Sequence, residues 1–185
     1  MHVSDEALIR KIQDGDDEAL EQLVGRHTRP VYALAYRLSG SRDDASDIVQ
    51  ESFIKMWKNI AKFRNGGNFP AWLMTITRNT ALDFLRIKRP LLFSQIENDG
   101  RTIDESVASD NEHPEDRLFT EWNNERLNAA VEKLPPHYRE VIALRFENGH
   151  TFDDISQILE KPLHTVKSQN RRALMMLKKL LEGQE

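Results

Sequence analysis

Four carboxylates crowd one stretch of the chain: Asp43, Asp44, Asp47 and Glu51. Asp43, Asp47 and Glu51 recur at the four-residue spacing that sets side chains on one helix face. Carboxylates so placed can hold a divalent cation for hydrolysis or present charge to a basic partner. Hydrolysis needs companions that the sequence lacks. No histidine stands near them at ligand spacing, and no Glu-x-x-His pair faces them. There is no glycine-rich phosphate loop, no serine-nucleophile motif and no cysteine. The expectation is a binding protein, not an enzyme, with no cofactor and no metal. A second group of residues suits another chemistry. From Lys55 to Arg89 there are eight basic residues and one acid, Asp83, with Phe63, Phe69 and Trp72 among them. Cations along a backbone, with rings on which bases stack, are what a single nucleic-acid strand needs. From Lys161 to Leu181 there are six basic residues and no acid.

These groups must be positioned by helices. The 185 residues carry a net charge of −4, which on its face argues against nucleic acid. The distribution reverses that. Residues 91–116 hold eight acids and one base, while residues 1–90 hold 14 bases and 12 acids, and residues 117–185 hold 11 and 10. The polar, acidic stretch 91–116 reads as a linker, and its flanks read as helical. The expected fold is all-α, two small helical domains over 1–90 and 117–185 joined by that linker. No run approaches the roughly 20 apolar residues of a membrane span, and the charged N-terminus is no signal peptide. A cytoplasmic protein without membrane insertion is expected.

Ser4 and Asp16 or Asp17 start the first two helices, and Pro30 should kink or split the second. Ser41 caps a third, about Arg42–Ile60, whose outer face carries Asp47, Glu51, Ile54 and Lys58. Asn68 caps a fourth with Pro70 in its first turn, ended by Pro90, with a core stripe of Leu73, Ile76, Thr77, Thr80, Phe84 and Ile87. Pro114 opens a helix to about Lys133, and Pro135-Pro136 starts another to about Glu147. Thr151-Phe-Asp-Asp154 begins a short helix to Leu159 with a capping-box-like start. After a turn, a last helix runs from about Thr165 to Leu181. A short helix, tight turn and longer basic helix have the layout of a helix-turn-helix. Thr165, Ser168, Gln169 and Arg172 are expected on its wet face, with Lys167 and Arg171 beside them, suited to base edges and phosphates. These features also fit a helix-turn-helix regulator whose N-terminal part senses a ligand or dimerises.

Two stretches carry a resemblance. VYALAYRLSGSRDDASDIVQESFIKMWKNIAKFRNGGNFPAWLMTITRNTALDFLRIKR resembles region two of the bacterial sigma-70 family, in its extracytoplasmic-function (ECF) group. LPPHYREVIALRFENGHTFDDISQILEKPLHTVKSQNRRALMML resembles region four. The resemblance implies a promoter-specificity subunit that binds core RNA polymerase, through its beta and beta-prime subunits, and promoter DNA. Asp47, Gln50 and Glu51 stand at the family's D-x-x-Q-[ED] core-binding motif, with Ile54 beside them. Arg64, Asn65, Asn68, Phe69, Trp72, Thr75, Arg78, Asn79, Asp83, Arg86 and Lys88 would face the −10 element and help melt it. His164, Thr165, Lys167, Ser168, Gln169, Arg171 and Arg172 would face the −35 element. Region four departs from the usual pattern. Glu160 and His164 stand where glycines are common, and Gln169 stands where the family often has Arg, so no promoter sequence follows. The resemblance further implies an anti-sigma factor, frequently membrane-anchored, and an acidic linker threading toward the polymerase cleft.

Overall fold

The computed structural model describes residues 3–64, 66–88 and 125–182, and among these every regular element is helical. The linker 91–116, the helix start at Pro114, the stop at Pro90 and Asn65 lie outside the described residues. Helix α1 (Asp5–Gln13) begins where Ser4 Oγ accepts from the Ala7 amide at 3.3 Å, and it buries Leu8, Ile9 and Ile12. Helix α2 (Asp17–Ser39) is capped by Asp16, whose carboxylate accepts from the Ala19 amide at 3.1 Å. It is tied to α1 by Asp5, which accepts from both Arg26 and His27.

Of the kink or split expected at Pro30, the split does not occur, and α2 runs through it. Proline forfeits one helical hydrogen bond. Packing of Leu23 before it and of Val31, Leu34 and Leu38 after it keeps both halves on one core. Gly40, at φ 65°, ends the helix in the left-handed conformation. Ser41 then caps α3 (Arg42–Asn59), which turns Ala45, Ile48, Ser52 and Met56 inward.

A single 3₁₀ turn and a loop lead to α4 (Phe69–Lys88). Asn68 Oδ1 accepts from the Ala71 amide at 3.1 Å, and Pro70 sits in the first turn, as expected. Leu73, Thr77 and Thr80 are buried, but Ile87 is 81% exposed. The stripe stops short of it, since Ile87 turns to the surface although α3 still lies alongside. Lys88 already reaches Asp44 in the first turn of α3, at 2.7 Å, and no described element covers Ile87.

The second half holds α5 (Glu125–Glu132), α6 (Pro136–Ile142), α7 (Phe152–Leu159) and α8 (Leu163–Glu182). The helix opened by Pro135-Pro136 reaches Glu147 as expected, but its last five residues, Ala143–Glu147, form a π turn. In it the Asn148 amide bonds the Ala143 carbonyl at 3.0 Å. Helix α8 starts two residues ahead of the expected Thr165.

Leu127, Val131, Leu134, Ile142, Leu174 and Leu177 make a core local to α5, α6 and α8. The larger core does not respect the division into halves. Val141, Leu144, Ile155, Ile158 and Val166 belong to the same buried cluster as Leu34, Leu73 and Met74. Among the described residues no helix is long and apolar enough to cross a membrane.

Candidate nucleic-acid interface and partner surface

The four expected partner-binding residues, Asp47, Gln50, Glu51 and Ile54, are all exposed, on the side of α3 away from its core stripe. Asp44 differs. It is buried and held by Lys88, so the carboxylates do not converge on one point, and no metal-binding group of His, Asp and Glu occurs among the described residues. Trp57, 57% exposed, extends the surface by one turn beyond Ile54. The sequence reading missed it, although its three-residue spacing from Ile54 was the available signal.

At the head of α4 the aromatic residues pack against one another. Phe63 lies 5.5 Å from Phe69 and 5.1 Å from Trp72, centroid to centroid, and Phe69 lies 5.2 Å from His27. Gly67 permits this. A Cβ there would stand 3.1 Å from the Phe63 ring and 3.2 Å from the Arg64 carbonyl. Phe69 is 2% exposed, so its ring is core and presents no face to a base, contrary to expectation. The reason is its position as the first residue of α4, where the chain turns in over α2. Trp72 is half-buried and keeps part of its ring at the surface.

Arg64, Asn68, Asn79, Asp83, Arg86 and Lys88 are exposed. Arg86 donates to Asp83 at 3.2 Å, and Thr75 is half-buried with its hydroxyl on the Ala71 carbonyl at 3.0 Å. Arg78 is otherwise engaged. Its Nε donates at 2.6 Å to Glu140, which is 1% exposed, in α6. Asn68 also donates across to the second half, to Asp154 at 2.8 Å.

The helix-turn-helix is present. Thr151 and Asp154 form a reciprocal capping box at the start of α7, with the Asp154 amide donating to Thr151 Oγ1 at 3.1 Å and the Thr151 amide donating to Asp154 Oδ2 at 3.0 Å. Partial burial pushes the Asp154 carboxyl up, but the bonds from Thr151, with His150 and Asn68 nearby, outweigh it and hold the carboxyl below its ordinary range. Burial lowers the neighbouring His150, against the pull of Asp154. Helix α7 ends at Glu160 in the left-handed conformation, φ 53°.

On α8, His164, Lys167 and Arg171 are exposed, and Thr165, Ser168 and Arg172 are half-buried. Gln169 is not on the wet face. It is 5% exposed, because it lies three residues after Val166 and four before Ala173, both buried. The outer stripe instead continues from Arg171 to Met175, which is 50% exposed and which the sequence reading passed over.

With this geometry in hand, the comparisons with known proteins are specific. Residues 23–90 match sigma-70 region 2, and residues 124–177 match sigma-70 region 4. The chain is 31% identical over 176 residues to the ECF RNA polymerase sigma factor SigW of Bacillus subtilis, covering 94% of each chain. It is 32% identical over 183 residues to the ECF RNA polymerase sigma-E factor of Haemophilus influenzae, covering 97% of this chain and 96% of that one. Among solved structures, the sigma factor RpoE of Bartonella quintana in complex with the anti-sigma factor NepR is similar at a TM-score of 0.64. That match has 26% identity and covers 91% of this chain and 98% of the other. CnrH in complex with the cytosolic domain of CnrY shares the fold at a TM-score of 0.70, with 24% identity over 98% of this chain and 99% of that one.

Proposed function

The chain belongs to the ECF group of the sigma-70 family, and from that premise we propose how its residues divide the work of a promoter-specificity subunit of RNA polymerase. Asp47, Gln50, Glu51 and Ile54 dock core polymerase, with Trp57 adding apolar area at the edge of the patch. Carboxylates and an amide on one exposed helix face suit a basic partner helix. Residues 62–68 and α4 take the −10 element, with Arg64, Arg86 and Lys88 along the backbone and Trp72 as the ring available to an unpaired base. Helix α8 takes the −35 element in the major groove through Lys167, Ser168 and Arg171. The solved relative bound to an anti-sigma factor supports a partner of that class for this chain too. The work is done in the cytoplasm, where the polymerase is, and the domain division at 1–90, 91–116 and 117–185 follows the same reading.

The observation that carries this reading is the succession, in one chain, of the exposed Asp47–Ile54 face, the ring-and-cation segment and the capped helix-turn-helix. A plain helix-turn-helix regulator would need only the last. The test is reconstitution with core polymerase on a genomic promoter library, with start sites mapped. Initiation at a restricted set of sites sharing −35 and −10 elements is expected. No initiation, together with no binding to core, overturns the reading. Binding of duplex DNA by the isolated chain as tightly as by the polymerase complex favours the regulator.

A further inference from the structure

Helix α1 lies ahead of residues 23–90, which match region 2, and the division of work above gives it no task. Its two ends nevertheless grip the two ends of the ring-and-cation loop. At its last residue, Gln13 Nε2 donates to the Ile60 carbonyl at 3.0 Å. The same carbonyl accepts from the Phe63 amide at 3.1 Å, where the chain enters the loop. At its first residue, Asp5 Oδ2 lies 2.8 Å from His27 Nε2, and Asp5 Oδ1 accepts from Arg26. Arg26 also donates to the Val3 carbonyl at 2.8 Å, which pins the start of α1 to α2. The His27 side chain is 9% exposed, and its ring meets Phe69 edge to face where the chain leaves the loop. Phe63 and Phe69 in turn both back Trp72, at 5.1 and 5.8 Å between centroids. Asp5 and Gln13 stand roughly 12 Å apart along the helix axis, so one rigid rod fixes the entry and the exit together. Between the two grips lies an open recess, with Asp5 and Arg26 on one side and Gly67 and Asn68 on the other. The helix therefore holds the loop's ends without covering it.

We infer that α1 is a brace that sets the shape of the −10 loop, with Asp5 and Gln13 as its positioning residues. This rests on the reading of Trp72 as the ring that receives an unpaired base. Neither positioning residue touches DNA in that reading. Gln13 acts through Ile60 and Phe63, and Asp5 acts through His27 and Phe69. The physical ground is pre-organisation. A ring already held where the base arrives needs no further ordering, whereas a loose ring must be ordered at that moment, at a cost in free energy. The brace therefore acts on the step that separates the strands. Docking of core polymerase uses the outer face of α3, a different element, and first contact with duplex DNA uses the cations and α8, so neither depends on Asp5 or Gln13.

The test uses the full chain assembled with core polymerase on a mapped promoter, with a fluorescent base analogue in the −10 element to follow strand opening. Asp5→Ala and Gln13→Glu are each expected to lower the opening rate at saturating polymerase by about tenfold, with the half-saturating concentration unchanged. Asp5→Asn keeps an oxygen for Arg26 and an amide for His27, and is expected to restore most of the rate. Leu38→Ala cuts the core near the far end of α2, and is expected to lower the thermal midpoint without slowing opening. An unchanged rate in both Asp5→Ala and Gln13→Glu overturns the brace. So does an equal slowing by Leu38→Ala, which would make the effect one of general stability. Should Asp5→Ala lose helix content by circular dichroism, Gln13→Glu, at an exposed position, decides alone. A second measurement needs neither DNA nor polymerase. With Trp57→Phe and Trp122→Phe, Trp72 is the chain's remaining tryptophan, and Asp5→Ala is expected to shift its emission to the red in the free protein. An unshifted emission overturns the brace. A shifted emission in a chain that never opens a promoter faults the promoter reading and leaves the brace standing.

Discussion

Two residues of the first half, Phe69 and Glu51, answer to different physics. Phe69 fills the space between His27, Phe63 and Trp72, so Phe69→Ala leaves a cavity and costs about 3–5 kcal/mol. Urea unfolding of the free protein reads that loss without any DNA present. Glu51 is exposed, with Lys55 at 3.9 Å. Glu51→Lys is expected to leave stability within about 0.5 kcal/mol. Against a basic partner helix, the reversed charge should weaken core-polymerase binding by more than about tenfold in a binding titration. The exposed carboxylates were legible in the sequence because a four-residue period and a charge suffice to place them. The rings were not. Phe63, Phe69 and Trp72 serve equally well as a base platform or as a core, and only the closeness of α2 and the approach permitted by Gly67 put Phe69 in the core while Trp72 stays half-buried. Gln169 was misjudged for a similar reason. It was grouped with its polar neighbours, whereas its spacing from Val166 and Ala173 put it inside.

At the scale of the element, caps and turns were the most legible features. Ser4, Asp16, Ser41, Asn68 and the Thr151–Asp154 box all cap as their residue types imply. The capping box carries a pH dependence of known sign. The Asp154 carboxyl is held below its ordinary range, so its contribution is complete above the unfolded value of about 3.9 and is lost as pH falls through the lower folded value. Acid titration of the thermal midpoint should therefore show a decline below about pH 4 that is smaller in Asp154→Asn. The turn after α7 carries a strain of its own. Glu160 occupies the left-handed region at φ 53°, which glycine adopts without penalty. Glu160→Gly is expected to stabilise the protein by about 0.5–1 kcal/mol, measured as a raised thermal midpoint. What the caps could not tell was the fate of Pro30. A proline inside a helix pattern reads as a break, and continuity came from apolar residues on both sides of it packing on one core.

At the scale of the whole molecule, the core shared by the two halves predicts one cooperative unfolding transition, seen identically by tryptophan fluorescence and by circular dichroism. Glu147→Gln, which cuts the Arg37 bridge, should separate it into two. The charge partition that marked out two helical halves in the sequence said nothing of this docking, because pairs such as Arg78–Glu140 and Arg37–Glu147 join residues 62 and 110 positions apart. The π turn at Ala143–Glu147 adds an evolutionary reading to that docking. A π turn holds one residue more than the α-helix around it, and each helical residue is worth about 100° of rotation. Deleting a single residue between Ala143 and Glu147 would let the segment relax to an α-helix with Glu147 and Asn148 still turned toward α2, whereas deleting one from the regular helix ahead of it, Pro136–Ile142, would change their phase by about 100°. The π turn is thus a place where a lineage could lose one codon and still keep its two halves docked.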